Sequence, residues 1–222
     1  MNDPDPRPLW HWPNRRHLGH FLLRGVLVGA WFGLVYGGAD WITAQHDYRV
    51  RVHLDADLAV PFVPASVLGY MAIYPLFWTA PFVLHTGREL RALAATLFAV
   101  IGVAGICFLV LPAAAVFPPT PDCGRWQDLV DFAKRLALTY NFVPSLHVAM
   151  SVVCAAIYAL YAGILGRVLL GLWAGVIAVS TMLLHQHYVI DVVTGMLLGM
   201  AGVRWIYCRR MLTVPPTPAR RG

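Results

Sequence analysis

Two short polar patches interrupt an otherwise apolar chain: Pro144-Ser145-Leu146-His147 and His187-Tyr188-Val189-Ile190-Asp191. Together they supply two imidazoles and a carboxylate, side chains that move protons or attack electrophiles near neutral pH. His187 and Asp191 are four residues apart, so a helix sets them on one face. There the carboxylate can hold one ring N–H, fix the tautomer and leave the other nitrogen as base, nucleophile or ligand. Pro144 suits the first turn of a helix, which leaves the amides of Ser145, Leu146 and His147 without intrahelical partners. Such amides at a positive helix end make an anion site, and Ser145 adds a hydroxyl. A phosphate held between His147 and His187 would face a nucleophile on one side and a proton donor on the other.

The elements that must position these groups are apolar helices. With 222 residues, 59% hydrophobic and 13% charged, the chain is too apolar for a soluble domain and short enough for one polytopic unit. Stretches of about 20 residues, enough to cross roughly 30 Å of hydrocarbon, fall at 21–42, 63–84, 92–111, 144–165, 168–184 and 188–208. The expected fold is therefore all-α, with six transmembrane helices. The expected organisation is a basic N-terminal segment 1–20, a membrane domain 21–208 and a tail 209–222 whose prolines favour disorder. The first apolar stretch lacks a small-residue cleavage site and is expected to stay as a span.

The net charge of +6 is distributed unevenly. Six spans put Arg7, Arg15, Arg16, Arg24, Arg88, Arg91, Arg167, Arg204, Arg209, Arg210, Arg220 and Arg221 on one side. Only Arg49, Arg51, Arg125, Lys134 and Arg135 fall on the other, with most of the acidic residues. This is the positive-inside pattern, so both termini are expected in the cytoplasm and His147, His187 and Asp191 at the extracytoplasmic face. The expected location is an integral membrane site, the inner membrane if the source is bacterial. Basic tails of this kind orient the chain and meet lipid headgroups; nucleic acid is not an expected partner.

Between the third and fourth spans, Trp126, Leu129, Val130, Ala133, Leu136 and Tyr140 recur at helical spacing. Gln127, Asp128, Asp131, Lys134 and Arg135 fill the opposite face, which predicts an amphipathic helix in the headgroup layer. It either roofs the site and guides a lipid into it or packs over loop backbone. Glycines at 29, 33 and 37, and at 195 and 199, have the four-residue spacing of closely packed membrane helices. Cys107, Cys123, Cys154 and Cys208 imply no disulfide framework.

The two patches resemble the type 2 phosphatidic acid phosphatase superfamily, which carries Pro-Ser-Gly-His at the start of one span and Ser-Arg-x5-His-x3-Asp leading into a later one. Pro144, Ser145 and His147 match the first motif, with Leu146 in the glycine position. Ser180, His187 and Asp191 match the second, with Thr181 in the arginine position, and the family's Lys-x6-Arg-Pro motif is missing. The Pro-Ser-Leu-His form with a His-Tyr-x2-Asp ending is similar to the branch of inositol phosphorylceramide synthases and their bacterial relatives, as is Pro61-Phe62-Val63-Pro64 followed by Tyr70 and Tyr74.

What the resemblance implies is a two-step reaction without cofactor or metal. His187, oriented by Asp191, attacks phosphorus to give a phosphohistidine, while His147 protonates the leaving oxygen and then deprotonates the acceptor. The implied substrate is a lipid phosphate, and the acceptor is water in a phosphatase or an alcohol in a transferase. Pro144 and Ser145, with Lys134 and Arg135 among the outside cations, are the expected phosphate-binding residues, and Arg125, Arg49 and Arg51 are the other cations available. Because His187 must be neutral while His147 holds a proton, a bell-shaped pH profile is expected. Competing readings are a zinc site of His147, His185, His187 and Asp191, sensitive to EDTA, and a transporter or proton relay using the same groups. His185 and Gln186 are expected to be supporting residues off the reactive face.

Overall fold

Asn14 opens the first helix by accepting the His17 amide on its side chain at 2.9 Å. The computed structural model describes residues 8–212, so the outermost residues of both terminal segments, including Arg7, Arg220 and Arg221, lie outside the described residues. Helix α1, Arg15–Thr43, starts before the predicted 21–42 because its cap lies in the polar flank, and it contains a π turn at Gly33–Gly37. Among the described residues the regular structure is helical throughout.

The predicted span 63–84 is not one helix. It is a 3-10 turn at Pro64–Ser66 followed by three short helices: α2 Val67–Met71, α3 Ile73–Trp78 and α4 Ala80–Val83. Pro64, Pro75 and Pro81 each sit in the first turn of a new segment, where the missing N–H is tolerated. Carbonyls near the breaks also accept from side chains of other helices: Trp173 Nε1 donates to Ala72 O at 3.0 Å and the Tyr158 hydroxyl to Leu76 O at 3.1 Å. Such bonding is what makes broken backbone tolerable at membrane depth.

Helix α5, Gly87–Val110, begins in a capping box: the Glu89 amide donates to Thr86 Oγ1 and the Thr86 amide to Glu89 Oε2. Within the stretch predicted as an amphipathic helix, α6 covers Gln127–Leu136 and ends before Tyr140. Helix α7, Leu146–Ala159, is shorter than the predicted 144–165; its 14 residues rise roughly 21 Å. It ends where Arg167 Nε donates to the carbonyls of Ala159 and Ala162, and α8, Ile164–Leu183, starts at once. The last helix, α9, spans Val189–Leu212. Among the described residues four helices, α1, α5, α8 and α9, are long and apolar enough to cross a membrane. Exposed aliphatic faces such as Leu22, Leu23 and Val26 on α1 and Leu165, Leu169 and Leu172 on α8 fit an integral membrane protein.

Helix α7 is the central post, buried along most of its length against α5, α8 and α9. A Cβ at Gly195 would stand 2.6 Å from Ser145 O, and one at Gly199 would stand 2.6 Å from Ala149 O, so both glycines let α9 lie directly on α7. The glycines at 29, 33 and 37 meet nothing within 4 Å and serve no such contact. The C-terminal ends of α1, α5 and α8 and the N-terminal ends of α7 and α9 gather at one end of the bundle. There Asp40 accepts the Thr139 and Tyr140 amides, and Val63 N donates to Leu183 O.

Candidate active site

Helix breaks and helix starts place both histidines. Tyr70 lies in the last turn of α2, where carbonyls have no intrahelical partner, and its oxygen accepts from His147 Nε2 at 2.7 Å. The two rings stack at 4.0 Å with a 17° interplanar angle. A carbonyl only accepts, so the proton sits on Nε2, and in the neutral ring the lone pair is on Nδ1. On the second motif the polarity is reversed. His187 Nδ1 faces Asp191 Oδ2 at 3.3 Å, so the carboxylate engages Nδ1 and not Nε2.

Asp191 is fully buried in the first turn of α9. Its Oδ2 also accepts the Tyr188 amide at 2.8 Å, so the charge sits at the positive helix end with an N–H donor in hand. Its Oδ1 has no partner among the described residues. Tyr188 is fixed in turn: its ring stacks on Phe117 at 4.4 Å and Phe142 at 5.6 Å, and its hydroxyl accepts the Val116 amide at 2.9 Å. The two motifs are joined by backbone, since the Ser145 amide donates to Asp191 O at 3.0 Å.

His147, His187, His185, Gln186, Asn141 and Lys134 line one cavity of about 820 Å³. From that polar end the cavity continues past Tyr70, Met150, Cys154 and Tyr158 to Leu90 and Arg24. His147 and Tyr158 are eleven residues apart on α7, roughly 16 Å along its axis. The walls of this shaft are mostly apolar, in contrast to its mouth.

Pro144 and Ser145 occupy different positions from those expected. Pro144 precedes the helix, and Ser145 is the N-cap, wholly buried, its hydroxyl accepting the Val148 amide at 3.3 Å. The Ser145 amide is bonded to Asp191 O; of the three expected amides, those of Leu146 and His147 are left in the first turn. Neither Pro144 nor Ser145 lines the cavity.

The cations separate clearly. Lys134 lines the cavity, bonds the Thr120 hydroxyl and lies 5.3 Å from the Phe62 ring centre. Burial pushes its ammonium pKa below the usual lysine range, with Cys123 and Asp131 pulling the other way. Arg135 is exposed and is not part of the lining. Arg49 covers the Tyr140 ring at 3.9 Å, Arg125 the Trp126 ring at 4.9 Å, and Arg51 pairs with Asp55. Thr181, in the arginine position, is buried; its hydroxyl donates to Ala178 O, and its carbonyl accepts the Gln186 and His187 amides.

His185 has a left-handed backbone, φ 53°, and is wedged between Phe117 and Phe62 with Nε2 donating to Val60 O at 2.9 Å. Among the described residues no three His, Cys, Asp or Glu side chains converge as a metal-ligand set. Two residues escaped the sequence reading. Asp57, buried in the 43–62 connection, accepts the Val189 amide at 3.1 Å and the Leu54 amide at 2.8 Å. Asn141 donates to Tyr36 O at 2.6 Å and keeps a buried Oδ1 without a partner among the described residues. Neither has a motif; their place beside polar connections was the only cue.

A family model described as the PAP2 superfamily matches residues 65–213. The chain belongs to the PAP2 superfamily. No curated protein and no solved structure matches it. The PAP2 region runs from the proline-segmented helices through α9, so it holds both histidine motifs and α6, while α1 precedes it. PAP2 superfamily membership points to phosphoesterase or phosphotransferase activity, and the long apolar helices agree with a membrane-embedded member.

Proposed function

We propose that this protein is a lipid phosphoesterase or phosphotransferase of the membrane, working through a phosphohistidine on His187. The observation that carries this reading is that two imidazoles line one cavity, each with one nitrogen held: His187 Nδ1 by Asp191 and His147 Nε2 by the Tyr70 carbonyl. His187 Nε2 attacks phosphorus, and the P–N bond forms as the P–O bond to the lipid breaks. His147 enters this step as the imidazolium, with Nε2–H held by the Tyr70 carbonyl, and its Nδ1 proton passes to the leaving oxygen. In the second step His147 takes a proton from the acceptor, whose oxygen attacks phosphorus and returns His187 to the neutral ring. Lys134 and the Leu146 and His147 amides bind the phosphate oxygens.

The apolar shaft below the histidines supports a substrate with a hydrocarbon chain, since an alkyl chain gains about 0.8 kcal/mol per buried CH₂ there. Six crossings are proposed, with α2–α4 and α7 as the two short ones, α6 in the headgroup layer, termini in the cytoplasm and the histidines outside. The Pro-Ser-Leu-His form and Thr181 favour the inositol phosphorylceramide synthase-like branch, with an alcohol as acceptor. The segmented 64–83 region is the feature that a transporter would share, but the histidines gather at one end of the bundle, away from its middle.

The test is purified full-length protein in detergent with a panel of lipid phosphates, with and without inositol, glycerol or a sugar. Released phosphate and new phosphodiester are read separately, and acid-quenched samples are examined for label on His187. Turnover with an acid-labile phosphoenzyme that His187→Ala abolishes is expected. Turnover that survives His187→Ala, or label on another residue, rules the mechanism out.

A further inference from the structure

At the end of the bundle opposite His147 and His187, arginines from three helices line a second pocket of about 260 Å³. Arg24 comes from α1, Arg91 from the start of α5 and Arg210 from the end of α9; the walls are Leu27, Ala94, Ala95 and Phe98. No carboxylate is in the lining. Arg24 lies roughly 14 Å along α1 from Arg15, between the exposed aliphatic residues Leu23 and Val26. Its Nη1 donates to its own helix at His20 O, 2.7 Å away.

Guanidinium groups stay charged, so three converging on an apolar wall repel one another and are poorly solvated unless an anion joins them. The described lining residues do not supply that anion. Glu89 is engaged in the Thr86 capping box, and Arg88 donates to the carbonyls of Arg210 and Met211, pinning the end of α9 beside the pocket. The occupant must bring a phosphate-like charge for the arginines and an apolar body for the Leu27 and Phe98 side. We propose that Arg24, Arg91 and Arg210 bind the phosphate of an anionic glycerophospholipid. Arg24 also lines the large cavity, so this lipid stands where the shaft from the histidines ends and ties α1 to α5 and α9. The site is separate from the phosphoryl-transfer site and does not depend on that reaction.

Full-length protein in neutral detergent, studied by native mass spectrometry with phosphatidylglycerol and phosphatidylcholine of identical chains, tests this directly. The wild type is expected to retain phosphatidylglycerol preferentially, and R91Q and R210Q each to weaken retention about fivefold, the worth of one headgroup contact. R16Q, which removes an exposed charge outside the pocket, leaves retention unchanged. Wild-type preference also falls as salt is raised, a readout that requires no variant to fold. Equal retention of the two lipids, salt-insensitive preference, or an R16Q loss as large as that of R91Q overturns the proposal. Displacement of phosphatidylglycerol by inorganic phosphate at equal concentration overturns the lipid assignment in favour of a free anion.

Discussion

The backbone amide of Ser145 donates to the carbonyl oxygen of Asp191 at 3.0 Å, which ties the cap of α7 to the carboxylate residue that holds His187. Gly195, one turn further along α9, leaves room for Ser145 O at a distance no side chain allows. This hydrogen bond and this missing Cβ help to fix the relative position of the two histidine motifs.

Gly195→Ala is expected to destabilise the protein by about 1–3 kcal/mol, since the Cβ meets backbone that cannot rotate away. Phosphoester turnover should fall with it as α7 and α9 separate. Thermal unfolding in detergent, read beside turnover, checks both; an unchanged melting temperature refutes the packing account.

Asp191→Asn keeps the volume and removes the charge that orients His187. Turnover should drop about 10²- to 10⁴-fold, the usual scale of lost general acid–base positioning. The Tyr188 amide still meets an amide oxygen, so the fold survives and circular dichroism should match the wild type.

Lys134→Ala should raise KM for a lipid phosphate roughly tenfold, whereas Arg135→Ala, on the exposed face, should leave it within twofold. Burial lowers the Lys134 pKa, so its charge is lost at a lower pH than that of an exposed lysine. Phosphate binding that rests on it fades first on the alkaline limb. Lys134→Arg, with a guanidinium that stays charged, should extend that limb, and a pH series of KM measures the shift.

Asp57→Ala removes the carboxylate that bonds the first amide of α9 and the Leu54 amide. A loss of about 1–2 kcal/mol is expected, as for other helix caps. Denaturant titration followed by tryptophan fluorescence reads it, and Asp57→Asn, which keeps an acceptor, should recover most of the loss.

The sequence by itself determined that the chain is helical and apolar, and it marked His147, His187 and Asp191. Those readings depend on composition and on periodicity within one element, which are local properties. It also marked α6 and the closeness of Gly195 and Gly199. The division of 63–84 into three short helices was written in Pro64, Pro75 and Pro81. Hydropathy averages over such breaks, and the side chains that bond to them, Trp173 and Tyr158, lie 101 and 82 residues away.

Tertiary structure alone decided what each polar group is bonded to. Ser145 became the cap of α7 through its side chain, and its amide is taken by the Asp191 carbonyl that α9 delivers. Lys134 rather than Arg135 reached the cavity because only one of two adjacent residues on a helix can face inward. Tyr70, Asp57 and Asn141 entered the site through a carbonyl at a helix break, a capping carboxylate and a buried amide. Their partners are distant in the chain, and hydrogen bonds between distant segments leave no period or spacing to read.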